Sequence, residues 1–355
     1  MKKQLPELRI GDLTVYPPII QGGMGVRVSR SGLASAVANE GCVGVIAGVG
    51  LGMFENRPGS EFESLNNDAL RAEIRKARTM TKGIIGVNLM VVLSNYEPLV
   101  RTAVEEDVDL IISGAGLPLE LPKYVAKKNI KLVPIISSAR ALQIICSKWK
   151  RNFDRLPDAV IVEGPKAGGH IGYDFQDVLE DRAPSLDTSV LEVVKLAQSF
   201  DPAIPVIAAG GIFDGKDVAH FLRLGASGVQ MGTRFVCTDE CDVHESFKKA
   251  YINAKKEDLV IIKSPVGLPG RVIKNKFVEE VQKGKTIPPS CSFHCLRTCN
   301  PKKAPYCIAK ALTSAAEGNL DAGFVFAGSN AYRCTEIVPV KKLIEEIVSE
   351  AEQYL

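Results

Sequence analysis

Short apolar runs recur between residues 17 and 233, separated by segments with helical patterning. Residues 18–24, Pro-Ile-Ile-Gln-Gly-Gly-Met, start apolar and run into a glycine pair. Similar runs follow at 43–48, 84–89, 110–114, 132–137, 159–162, 206–211 and 228–233. Runs that are apolar at consecutive positions predict strands covered on both faces, and so a parallel sheet. Helical patterning fills the intervals at 31–39, 68–79, 97–106, 119–128, 139–150, 189–199 and 217–224. Eight such units predict an α/β fold, a closed (β/α)8 TIM barrel over residues 1–235. An open doubly wound sheet is the rival. It would need Gly-x-Gly-x-x-Gly after its first strand, and residues 22–25, Gly-Gly-Met-Gly, do not supply it. Residues 50–66 form a polar excursion long enough for a lid or substrate loop. Residues 236–355 read as a C-terminal extension packing over the barrel mouth, with amphipathic helices at 308–317 and 340–353.

Composition narrows the function classes. The 355 residues are 46% hydrophobic and 24% charged, which suits a globular protein with a large core. A formal net charge of +3 without a basic stripe argues against nucleic acid as a partner. The first residues carry no apolar signal core, and no run approaches a membrane span of ~18 residues. A cytoplasmic protein acting on a small molecule is therefore expected, with a homodimer as a possible assembly. Nine cysteines in such a chain argue for metal, redox or buried-thiol roles rather than a disulfide scaffold.

In a barrel of this type the chemistry sits at the C-terminal ends of the strands. The sixth strand runs into residues 163–172, Glu-Gly-Pro-Lys-Ala-Gly-Gly-His-Ile-Gly. Glycines around His170 let the backbone turn sharply and a ligand approach closely. A histidine there can donate or accept a proton near neutral pH. The plainer reading is a glycine turn whose histidine bonds backbone. Other strand ends contribute Gln21, Gly22, Gly23, Met24, Asn88, Ser137, Gly210, Gly211, Met231, Gly232 and Thr233 as candidate cofactor contacts, and the His170 loop adds Glu163, Gly168 and Gly169. Bare amides at Gly210–Gly211 and Gly232–Thr233, with a helix N-terminus behind, predict a phosphate site. With Gln21 and Asn88 across the mouth, flavin mononucleotide (FMN) has the right shape. Spacing alone does not separate it from another phosphorylated ligand, so a sugar-phosphate isomerase or aldolase barrel without flavin stays open.

Five motifs together resemble the nitronate monooxygenase (2-nitropropane dioxygenase) family, which includes FMN-dependent enoyl-acyl carrier protein reductases. They lie at residues 18–24, 86–88 (Gly-Val-Asn), 167–172 (Ala-Gly-Gly-His-Ile-Gly), 205–212 and 230–235 (Gln-Met-Gly-Thr-Arg-Phe). The resemblance implies a flavin-dependent oxidoreductase with FMN phosphate on Gly210, Gly211, Gly232 and Thr233. It implies Met24, Asn88 and Gln230 near the flavin and His170 as the catalytic acid/base. Oxidation of an alkyl nitronate is the leading expectation; NAD(P)H-dependent reduction of an enoyl thioester is the alternative. Residues 267–275, Gly-Leu-Pro-Gly-Arg-Val-Ile-Lys-Asn, resemble a segment of the reductase branch and lean toward reduction. Lys166 could steer an anionic substrate, although a solvated loop lysine is the simpler expectation.

Past the barrel, Cys291, Cys295, Cys299 and Cys307 fall within seventeen residues. On one helix the outer pair of the first three would lie about 12 Å apart at ~1.5 Å rise per residue, too far for one zinc with ~2.3 Å bonds. Flanking prolines predict a folded loop instead. Such a loop could offer four thiolates to a [4Fe–4S] cluster. It could also close around zinc, with His294 as a substitute ligand. A metal-bound sensing protein that keeps the barrel as scaffold is the third functional class. Cys237, Cys241 and His244 have helical spacing and are expected on a buried helix face, while Cys42, Cys146 and Cys334 are expected as core thiols.

Overall fold

The computed structural model describes residues 4–53, 62–126, 129–287, 289, 291 and 293–355. Its strands are β1 (Leu8–Ile10), β2 (Leu13–Val15), β3 (Ile19–Gln21), β4 (Gly44–Ala47), β5 (Ile85–Met90), β6 (Leu110–Gly114) and β7 (Lys131–Ile136). They continue with β8 (Val160–Glu163), β9 (Gly169–His170), β10 (Val206–Ala209), β11 (Gly228–Met231), β12 (Leu259–Lys263), β13 (Pro269–Ile273) and β14 (Val325–Phe326). Eight of these pair in the order β3-β11-β10-β8-β7-β6-β5-β4, all parallel. A parallel bridge between Ile20 and Val43 joins the two ends, so the sheet closes as the expected barrel.

Strand sequence accounts for two separate cores. Ile20, Val45, Leu110, Ile112, Val133, Ile161 and Ile207 point inward and fill the barrel. Their neighbours on the same strands, such as Ile19, Ile46, Ile111 and Val160, point outward against the helices. Consecutive apolar residues are needed because both faces are dry. The antiparallel β1–β2 hairpin closes the barrel floor, placing Leu8, Ile10 and Val15 in the inner cluster. The repeating pattern does not announce this hairpin, whose turn is marked by Gly11 at φ +61°.

Residues 259–273 and 325–326 build an antiparallel sheet that captures the sixth barrel loop. β13 pairs with β12, β14 and β9, with Gly270 opposite His170 and Arg271 opposite Gly169. Arg271 donates to the carbonyls of Pro165 and Ala167 at 2.7 Å each. The segment expected to resemble a reductase motif thus holds the His170 loop in place. The terminal helix Val340–Tyr354 packs on the helix Gly215–Arg223, where Gly215 is required because a Cβ would lie 2.4 Å from the Ala351 amide nitrogen.

Two local expectations are corrected. The helix expected at 119–128 is a single turn, Leu121–Tyr124. Cys237 and His244 do not share a helix: Cys237 ends the turn Thr233–Val236, and His244 caps the helix Glu245–Ile252 by accepting from the Ser246 amide. Part of the expected lid, residues 54–61, lies outside the described residues. Cys42, Cys146 and Cys334 are buried, as expected of core thiols.

Candidate active site

A cavity of about 270 Å³ opens at the C-terminal ends of the barrel strands. Its wall takes in Gly22, Gly23, Met24, Asn88, Glu163, Gly168, Gly169, His170, Gly210, Gly211, Gln230, Met231, Gly232 and Thr233. Backbone geometry explains several glycines. Gly210 and Gly211 adopt φ +96° and +90°, and a Cβ on them would meet Gly164 oxygen and Lys166 Cβ at 2.9 Å. A side chain on Gly23 would come within 2.3 Å of Asn88 Cβ. Gly169, at φ +80°, faces open space, with nothing within 4 Å of an added Cβ.

His170 is held by groups the sequence does not reveal. Its Nε2 lies 2.8 Å from Ser264 Oγ, and its ring meets Phe326 edge-on at 5.0 Å. Ser264 is buried at 3% exposure, and its Oγ also accepts from the Val266 amide at 3.4 Å. The hydroxyl hydrogen can therefore go to Nε2, which leaves the imidazole proton on Nδ1. Burial pushes the imidazole down to about 4, so it is neutral at pH 7. A cationic acid at this position is not what the site provides. Burial likewise pushes the Glu163 carboxyl up to about 7.

Two expected contacts are spent elsewhere. Gln21 is fully buried: it donates to Ser29 Oγ at 2.9 Å and accepts from the Val45 amide at 3.0 Å. It braces the first loop and does not line the cavity. Ser137 donates to the Gly172 carbonyl at 3.2 Å and also lies off the cavity wall. At the start of the helix behind the glycine pair, Glu350 accepts from the Gly215 amide at 2.8 Å and Asp214 from the Asp217 amide at 3.1 Å. Lys166 is exposed and off the wall. Conversely, the cavity contains Asn95, which sequence reasoning misses. Asn95 is 3% exposed, and both polar atoms of its amide lack a partner. Gln230 Oε1 is unpartnered in the same wall. Buried amides left this way point to a ligand that completes them.

The nitronate monooxygenase family model matches residues 7–103 and 94–350. The chain belongs to the nitronate monooxygenase family. It is therefore a flavin-dependent oxidoreductase. A probable nitronate monooxygenase of Staphylococcus aureus is 31% identical over 307 residues, covering 76% of this chain and 78% of the relative. A (3aS,4S,5R,7aS)-5-hydroxy-7a-methyl-1-oxo-octahydro-1H-indene-4-carboxyl-CoA dehydrogenase of Mycobacterium tuberculosis is 30% identical over 267 residues, covering 75% of this chain and 66% of that longer protein. Among solved structures, FabK from Thermotoga maritima superposes with TM-score 0.76 at 31% identity, covering 96% of this chain and 94% of that one. A nitroalkane oxidase from Streptomyces ansochromogenes shares the fold, with TM-score 0.74 at 21% identity over 96% of this chain and 97% of its own.

In this family member the expected metal centre finds no single-ion geometry. Among the described residues no three His, Cys, Asp or Glu side chains are placed to hold a metal ion. That holds at Cys291, Cys295, Cys299 and Cys307 as elsewhere, so neither the iron–sulfur nor the zinc expectation is borne out at this segment. The same segment is a loop, as the prolines implied, and its four thiols are free.

Proposed function

We propose that this family member reduces the carbon–carbon double bond of an acyl thioester, with FMN as hydride carrier and NAD(P)H as reductant. The observation that carries this reading is the charge of the cavity. Its described wall contains no lysine or arginine, and its titratable groups are Glu163, a neutral His170, Tyr251 and Cys295, the last two pushed up by burial. An alkyl nitronate is an anion and would enter such a site without a counter-ion, at a desolvation cost. A neutral enoyl thioester meets no such cost. The apolar wall, including Met53, Phe62, Met90, Leu93, Leu312 and Phe326, suits an acyl chain. The Mycobacterium tuberculosis relative, a dehydrogenase named for a carboxyl-CoA substrate, supports the acyl-thioester substrate and not the direction of the reaction.

The residues present fit FMN. Left-handed Gly210 and Gly211, with Gly232 and Thr233, form a surface without side-chain bulk for the phosphate. Gln230 and Asn88 offer amides to the ring system, and open space over Gly169 leaves room for it. Bound FMN supplies hydride transfer to the β-carbon. His170, held by Ser264, donates a hydrogen bond from its neutral ring to the thioester oxygen as negative charge develops there. The α-carbon then takes a proton from solvent. The balance is NAD(P)H, a proton and enoyl thioester going to NAD(P)⁺ and saturated thioester.

Nitronate oxidation is the second reading, favoured by the naming of the Staphylococcus aureus relative. Anaerobic turnover of crotonyl thioester with NADH or NADPH, beside aerobic turnover of 2-nitropropane nitronate, separates the two. Saturated thioester forming one-for-one with NAD(P)H consumed is expected. Faster nitronate turnover with no thioester product would reverse the assignment.

A further inference from the structure

The cysteine loop has its own small cavity, and the proposed reaction does not use it. Cys291, Cys295, Cys299 and Cys307 all line a space of about 20 Å³, together with His294 and Pro301. The loop that brings them there is pinned from several sides. Ile287 donates to the Pro305 carbonyl at 2.6 Å, which closes the loop on itself. The Ser94 amide donates to the Cys295 carbonyl at 3.1 Å, and the Arg297 amide to the Val92 carbonyl at 2.9 Å, which fix it to the loop after β5. His294 adopts φ +48°, an uncommon conformation for a residue with a side chain. Cys307 begins the helix Ile308–Ala316, yet its side chain caps nothing.

Four thiols converging on one space have few physical explanations. Ordinary core packing would not select four of nine cysteines for one irregular loop. The four form no disulfide with one another. A single tetrahedral ion with ~2.3 Å bonds would bring its sulfurs to about 3.8 Å from one another. No three of these side chains are placed for that. A cubane separates its four thiolate ligands more widely than one ion does, and its positive iron core offsets their mutual repulsion.

We propose that Cys291, Cys295, Cys299 and Cys307 ligate a [4Fe–4S] cluster. The cluster lies directly behind the active-site wall, because Cys295, Leu296, Ile308 and Ala309 line both cavities. Holding it fixes the position of Leu296 and Ile308, and so the apolar end of the substrate space.

The test is chemical analysis of the full chain purified anaerobically and reconstituted with ferrous iron and sulfide. About four irons and four acid-labile sulfides per chain are expected, with an electron-paramagnetic signal after dithionite reduction that a flavin radical does not give. Cys291→Ser, Cys295→Ser, Cys299→Ser and Cys307→Ser should each lose the signal, while Cys146→Ala keeps it. One zinc, two irons or no metal per chain overturns the proposal, as does a four-iron count that survives the quadruple serine variant. Flavin content and melting temperature check that each variant is folded. Cys291→Ser, at a half-buried position, carries the test if the quadruple variant does not fold. The iron count is read without turnover, so it stands or falls apart from the substrate assignment.

Discussion

His170 shows how environment sets a residue's chemistry. Its sequence context implies an acid/base near neutral pH, but burial takes it down to about 4. A neutral donor stabilises developing negative charge without delivering a full charge. His170→Ala should therefore lower kcat about 100-fold, the usual cost of losing one such donor, with FMN content unchanged. Wild-type kcat/KM should show no inflection from this group between pH 5.5 and 8. Ser264→Ala removes one hydrogen bond, worth about 1 kcal/mol net. It should slow turnover roughly fivefold by that estimate and move the pH profile, because the ring is then free to change tautomer; an unmoved profile would make Ser264 merely structural. Glu163 gives a separate check on the apoprotein. Its folded-state value of about 7 lies above the ordinary 4.5, so its contribution is fully present below pH 4.5 and lost as pH rises through 7. His170 acts oppositely, its contribution being present above pH 6.5 and lost as pH falls through 4. In Glu163→Gln the first trend should vanish. The variant should then melt higher than wild type at pH 8, with the difference closing near pH 4.

At the scale of elements, the barrel strands are legible because continuous apolar runs have one common cause, burial on both faces. The helix Ser31–Asn39 falls where its pattern and the following Gly41 place it. The C-terminal sheet is not legible in the same way. Leu259–Lys263 is as apolar as a barrel strand, but it pairs with residues 269–273, and these pair in turn with residues 169–170 far back in the chain, a pairing no local pattern discloses. The same non-locality hides Ser264 and Asn95. Each is an ordinary polar residue made significant by what the fold sets beside it. Cys237, Cys241 and His244 show the converse error, since helical spacing is present across a segment that turns. Arg271 braces the His170 loop through two carbonyls, and Arg271→Met should lower the melting temperature and weaken FMN binding together. A Gly211→Ala substitution should cost FMN affinity more than stability, because its strain at φ +90° falls on the proposed phosphate surface.

For the whole molecule, the closed barrel positions the site and the chain beyond residue 236 finishes it. Ser264, Val266, Cys295, Leu312 and Phe326 all come from that later part, and all but Ser264 line the active-site cavity. Sequence motifs point to the proposed flavin end because a phosphate surface of that kind depends on glycine backbone. They leave the substrate end open because apolar lining has no signature of its own. The absence of fixed cations from the described wall is a property of the assembled cavity, and the reductive assignment rests on it. Its most direct test is a single-turnover experiment. FMN-loaded enzyme is reduced anaerobically with one equivalent of NAD(P)H and mixed with crotonyl thioester or with 2-nitropropane nitronate. The account predicts that the thioester restores the oxidised flavin spectrum rapidly while the nitronate leaves it unchanged. Flavin that stays reduced in the presence of thioester, in an enzyme that oxidises nitronate once air is admitted, would contradict it.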